Sequence, residues 1–336
     1  MKRESGHLVH LKNLAIQLKK AIRSGEFRLL VSPLEKRPQM NVLRINGLTK
    51  RYGRITAVDE LSLEVEQGMA YGILGPNGSG KTTTLGMVLD ITHPDSGSFE
   101  WFEGQYGRDA RRHVGALLET PNFYPYLNAI DNLGIVAHIK QVKAPRFDEL
   151  LKLVNLYERR TSKFRTYSLG MKQRLAIASA MVGDPEVLIF DEPTNGLDPQ
   201  GIAEIRNTLQ RIAETGKTII MASHILDEVE KVCSHVAIIK NGHLLASGTV
   251  GAIISDDFLV EVAAEDMPGL QTAFETDSRI KKAELQEEGV LLLHLENETP
   301  AAAINEWAFS KGHTLSHLRI VKKSLEAEFL EITANQ

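Results

Sequence analysis

Eight residues, Gly75-Pro76-Asn77-Gly78-Ser79-Gly80-Lys81-Thr82, constrain this chain more than any other stretch. They match G-x-x-x-x-G-K-[ST], follow an apolar strand pattern from Tyr71 to Leu74, and lead into a helical pattern near Lys81. Strand, loop and helix form the setting in which such a loop grips phosphate. The glycines let successive backbone N–H groups close around phosphate oxygens, and the helix start presents its positive end. Lys81 reaches the outer phosphates and the Thr82 hydroxyl binds Mg2+. The expected nucleotide contacts are therefore Gly75, Pro76, Asn77, Gly78, Ser79, Gly80, Lys81, Thr82 and the adjoining Thr83. A bare glycine-rich turn would not call for a lysine and a threonine directly behind it.

A second element answers the first. Val187-Leu188-Ile189-Phe190-Asp191-Glu192 is an apolar strand pattern that delivers two carboxylates at its C-terminal end, the edge where open parallel sheets place their sites. Asp191 is placed to hold Mg2+ through water and Glu192 to polarise an attacking water as general base. An acidic strand-to-turn cap is common alone, but beside a phosphate loop the two carboxylates read as a catalytic pair.

From Asn41 onward strand and helix patterns alternate, with Thr218 to Ala222 as a further apolar strand, which predicts a largely parallel sheet covered by helices. After Ser255 the order is strand (Phe258 to Val262), helix, strand, strand (Val290 to Leu295), helix, strand (Leu315 to Val321) and a last helix, a small split βαβ module. Ser324 is the expected N-cap of that last helix, with Glu326 in its first turn and Leu325, Phe329 and Ile332 facing inward. Three segments follow: a basic extension 1–39, a nucleotide-binding domain 40–254 and an α+β accessory domain 255–336.

Composition narrows the function. The net charge of -4 makes no general case for nucleic-acid binding, although residues 1–39 carry nine Lys/Arg against three Asp/Glu. Within that extension Leu8, Leu11, Leu14, Ala15, Leu18 and Ile22 fall on one helical arc beside Lys12, Lys19, Lys20 and Arg23, a pattern fit for an anionic membrane surface. It is equally an extension upstream of a start at Met40. No run of 18 apolar residues occurs, so no helical bilayer span is expected. The one cysteine, Cys233, fits a reducing cytoplasm.

Tyr167-Ser168-Leu169-Gly170-Met171-Lys172-Gln173-Arg174, just before the acidic strand, resembles the signature motif of ATP-binding cassette (ABC) ATPases. Most members carry Leu-Ser-Gly-Gly-Gln there; Leu169 and Met171 depart from it, while Ser168 and Gly170 keep the polar and small positions. Over residues 41 to 250 the other family elements occur in order. The resemblance implies that Tyr52 stacks on adenine, that Asn195-Gly196-Leu197-Asp198 communicates across a dimer, and that His224 is a switch histidine at the γ phosphate. It also implies a P-loop NTPase fold of α/β class with a helical subdomain, ATP and Mg2+ as ligands, and Ser168 and Gly170 facing the nucleotide of a second copy. Glu119 stands where many members have a glutamine that senses Mg2+ and water, which adds a charge near Asp191 and Glu192. The final module is expected to be ferredoxin-like.

Gly115 to Pro125 is similar to the branch of ABC exporters that includes bacitracin- and lantibiotic-resistance ATPases, and Ser324 to Leu330 to the C-terminal module of that branch. The implied function is the ATPase subunit of an exporter of a peptide, antibiotic or other amphiphile. It would lie peripherally on the inner face of the membrane and drive a permease on a separate chain. Phe123, Tyr124 and Tyr126 are the expected anchors of that partner, against local packing around Pro121 and Pro125. A soluble mechanoenzyme on ribosomes or nucleic acid is the alternative, and an ATP sensor without turnover a third; the intact Asp191-Glu192 pair speaks against the sensor.

Overall fold

The computed structural model describes residues 40–118, 121–254, 258–286, 289–295, 299–321 and 325–334. The basic extension, Glu119 and the expected cap Ser324 lie outside them.

The described chain opens with β1 (Asn41–Tyr52) and β2 (Ile55–Glu66), paired antiparallel with Tyr52 opposite Ile55. β3 (Ala70–Leu74) and α1 (Lys81–Val88) flank the glycine-rich loop, and β4 (Ser96–Trp101) returns to pair antiparallel with β1. The sheet β2-β1-β4 departs from the parallel arrangement expected from Asn41 onward. The reason is chain length: only Gly53 and Arg54 join β1 to β2, and so short a link makes a hairpin, never a parallel crossover.

Beyond it the parallel expectation holds. β5 (Val114–Leu117), α2 (Ala129–Ile139), α3 (Phe147–Leu153), α4 (Leu169–Ala180), β6 (Val187–Asp191), α5 (Pro199–Glu214), β7 (Thr218–Ser223), α6 (Leu226–Val232), β8 (His235–Lys240), β9 (His243–Thr249) and α7 (Val250–Ile253) follow in order. The sheet runs β5-β6-β7-β3-β8-β9, parallel throughout except for the terminal hairpin β8-β9. Every residue of β3, β6 and β7 is buried, which is why these strands read as unbroken apolar runs. Helices α2, α4 and α5 start at side-chain caps: in α2 Asn128 accepts from Asp131 N–H, in α4 Ser168 from Met171 N–H, and in α5 Asp198 from Gly201 N–H ahead of Pro199.

The last segment comprises β10 (Phe258–Ala264), α8 (Met267–Glu275), β11 (Ile280–Leu285), β12 (Leu291–Leu295), α9 (Ala301–Ser310), β13 (Leu315–Val321) and α10 (Leu325–Ala334). Its four strands form an antiparallel sheet in the order β11-β12-β10-β13, with a core of its own that includes Val260, Val262, Leu270, Phe274, Leu293 and Ile304. α10 leaves this sheet and packs on α6, α7 and β9. Leu325 is wholly buried in the larger core, with Phe329 and Ile332 against it, as the inward-facing pattern predicts. Among the described residues no helix is long and apolar enough to cross a membrane.

Candidate nucleotide site

The loop after β3 needs glycine for two different reasons. A Cβ on Gly75 would sit 2.2 Å from the Ile239 carbonyl oxygen and 2.5 Å from Ser79 Oγ, so close approach of backbone excludes any side chain. Gly80 has φ +107, and its Cβ would fall 2.4 Å from the Ala57 carbonyl oxygen. Gly80 is also the N-cap of α1 with no side-chain cap, so no side chain takes up the first-turn N–H groups. Pro76, Asn77 and Gly78 are exposed at the tip, Thr82 is exposed and Thr83 half-buried on the first turn, and the buried Ser79 hydroxyl has no hydrogen-bond partner among the described residues. Uncapped donors, an unbonded hydroxyl and a lysine in one loop fit a phosphate chain. Lys81 is buried at 6% exposure, and its Nζ donates to Gly75 O at 2.8 Å and Pro76 O at 3.2 Å.

The same ammonium lies 3.4 Å from Glu192 Oε1. Glu192 follows the wholly buried β6 and adopts φ +48, a left-handed conformation that costs a non-glycine residue about 1–3 kcal/mol. Its N–H is held by Ala222 O of β7 at 2.9 Å. The strain is thus imposed at the sheet edge, where it turns the carboxylate toward the loop. On the other side Glu192 Oε2 is 2.7 Å from His224 Nδ1 and receives the His224 N–H at 3.4 Å. Asp191, only 3% exposed, ends β6 beside Ala222. Lys81 at the start of α1, Glu192 after β6 and His224 after β7 are therefore one connected group drawn from three separate segments.

Other predicted residues lie outside that group. Tyr52 is 51% exposed at the end of β1, with Lys50 Nζ 5.6 Å from its ring centroid. Ser168 spends its hydroxyl on capping α4, and a Cβ on Gly170 would lie 3.9 Å from Gly201 Cα and from Leu197 Cδ2. α4 packs on β5, α2, α3 and α5, whereas α1 packs on β2 and β6. Asp198, in the expected dimer-communicating loop, is the cap of α5. Phe123 packs edge-on against Phe164 at 5.2 Å, while Tyr124 and Tyr126 stay exposed, so the aromatic cluster divides between local packing and a free surface. The buried Asn132 fixes that surface by bonding both the N–H and the C=O of Tyr124.

Two residues went unnoticed in the sequence. Glu228 of α6 is 3% exposed and accepts a hydrogen bond from Thr194 Oγ1, two residues past Glu192. Burial raises its carboxyl above the ordinary range, opposed by the Thr194 bond. The only available signal was an acid beside Val229 on the inward face of a short helix.

A family model described as ABC transporter matches residues 58–195. The chain is 36% identical over 303 residues to an uncharacterised ABC transporter ATP-binding protein of Bacillus subtilis (strain 168), covering 87% of this chain and 96% of that protein. This chain belongs to the ABC transporter ATP-binding proteins. Like them it is an ATP-binding subunit and an ATPase. The bacitracin transport ATP-binding protein of Bacillus licheniformis is 44% identical over 209 residues, 61% of this ABC protein and 68% of that one. Among solved structures, cbiO1 of Clostridium perfringens, part of an ABC transporter complex, superposes with a TM-score of 0.56 at 29% identity, over 63% of this chain and 89% of its own.

Proposed function

We propose that this ABC subunit hydrolyses ATP in a site shared between two copies and powers export through a permease on another chain. One observation carries the hydrolytic part: Glu192 stands between Lys81, at 3.4 Å, and His224, at 2.7 Å. Lys81 and the loop N–H groups hold the β and γ phosphates, and Glu192 takes a proton from the attacking water. His224, bonded to the same carboxylate, orients it and meets the γ phosphate. Mg2+ would be held by Thr82 and Asp191, with Glu119 as a further candidate ligand, and would neutralise phosphate charge. Tyr52 stacks on adenine.

Ser168 and Gly170 serve the nucleotide of the second copy. Their packing away from α1 within one chain supports that assignment. Because this second half binds only in the closed dimer, ATP favours closure, and that difference in affinity does work on the partner. The exposed Tyr124 and Tyr126, held by Asn132, suit a cytoplasmic element of the permease. Export, of a peptide or other amphiphile, is argued from the likeness to the bacitracin transport relative. Residues 40–254 act as the motor domain and 255–336 as an accessory domain of ferredoxin-like type, a class supported by its antiparallel order β11-β12-β10-β13. The chain works on the inner face of the membrane through its partner.

Purification of the tagged chain from mild detergent tests this. A co-purifying multi-span membrane protein, lost in Tyr126→Ala, is the expected outcome; ribosomes or nucleic acid in its place would sink the export reading.

A further inference from the structure

We infer that the C-terminal helix α10 positions His224, acting through α6; this rests on the role of Glu192 and His224 proposed above. α6 has seven residues, too few to be stable by itself, so its place is set by what it is tied to. Three ties are visible. Just upstream, His224 meets Glu192 and the Ile225 N–H bonds Ser223 Oγ at 3.0 Å. In the middle, buried Glu228 receives Thr194 Oγ1 from the loop that follows Glu192. Toward the end, Glu230 Oε2 accepts the N–H of Leu325, the first residue of α10, at 3.2 Å.

α10 is itself anchored at both ends. Leu325 is wholly buried in the same core as Val229 of α6, and Lys240 Nζ donates to the Thr333 carbonyl. Phe329 and Ile332 pack on that core between them. One short rod thus joins the end of the chain to both sides of the Glu192 loop. A displacement of α10 at Glu230 is carried along roughly 6 Å of helix, at ~1.5 Å per residue back to Leu226, and on to the histidine two residues upstream. Leu325 and Glu230 are positioning residues: neither touches the reacting groups.

The test uses the full chain. Glu230 is exposed, so Glu230→Ala removes the acceptor with little demand on the fold, while Glu230→Gln keeps an amide oxygen for the Leu325 N–H. Glu230→Ala is expected to lower kcat for Mg-ATP about fivefold, with KM for ATP held within about twofold. It should also move the His224 Cε1–H resonance, assigned with His224→Gln. Glu230→Gln should restore both, and Leu325→Ala should displace the resonance in the same way wherever it folds. A His224 resonance that stays in place in Glu230→Ala, or an unchanged kcat, overturns the inference. Undiminished turnover in Glu192→Gln would instead sink the role of the site, a failure the resonance itself does not share.

Discussion

Lys81 Nζ lies 3.4 Å from Glu192 Oε1, so the phosphate-loop cation and the carboxylate at the end of β6 form an ion pair. The other carboxylate oxygen of Glu192 is engaged by His224 at 2.7 Å. On the proposed reading, a phosphate chain entering the loop would compete with Glu192 for Lys81, and its arrival would leave the carboxylate free to act on water. Glu192→Gln keeps the shape and removes the base. It should bind ATP at least as well as the wild type and hydrolyse it about 10²–10⁴-fold more slowly. Nucleotide binding with single-turnover phosphate release measures both, and near-normal release would remove Glu192 from the base role.

Two glycine-to-alanine changes should move stability in opposite directions. At Gly75 the new methyl meets Ile239 O at 2.2 Å, so Gly75→Ala should lose about 1–3 kcal/mol and most ATP affinity. Gly134 lies inside α2 with open space where a Cβ would stand and an ordinary backbone. Gly134→Ala should gain about 0.5–1 kcal/mol. Urea midpoints of the two variants check the sign of each.

The raised pKa of Glu228 predicts how stability depends on pH. Its first cause is burial, which disfavours the charged carboxylate in the folded state. The folded protein therefore holds this proton more tightly than the unfolded chain. The contribution is complete below the ordinary value of 4.5 and is lost as pH rises through the folded pKa. Glu228→Gln keeps an acceptor for Thr194 without a charge to bury. Its stability relative to the wild type should increase as pH rises above that value and then level off. A difference in denaturation midpoint that stays constant with pH counts against the assignment.

Cys233 should be chemically silent in the native protein. It is 7% exposed, and burial pushes its thiol up to about 12, so almost no thiolate is present near neutrality. A chromogenic disulfide reagent at pH 8 should react only after urea is added. Rapid labelling without denaturant would show that α6 and β8, which flank this residue, open readily.

Much of the site was legible because it is local. The spacing from Gly75 to Thr82 specifies its chemistry within eight residues, since backbone donors, helix start and lysine are covalently adjacent. The buried strands of the main sheet were legible from continuous apolar runs, and the order of elements after Phe258 from changes of period. Hydrophobicity leaves the exposure of Phe123, Tyr124 and Tyr126 undivided, because it does not say which ring finds Phe164. Glu228 was missed since the partner that makes it acceptable inside, Thr194, lies 34 residues away.

By itself, then, the sequence determined the glycine-rich loop between strand and helix, the acidic strand end and the alternating architecture, all set by neighbours along the chain or by period. Tertiary structure alone decided that Glu192 stands between Lys81 and His224, that β1, β2 and β4 form an antiparallel sheet, and that α10 returns to α6. Each of these depends on which distant surfaces meet when the core closes. That choice is made by packing and loop closure over the whole chain, and no short window of residues carries it.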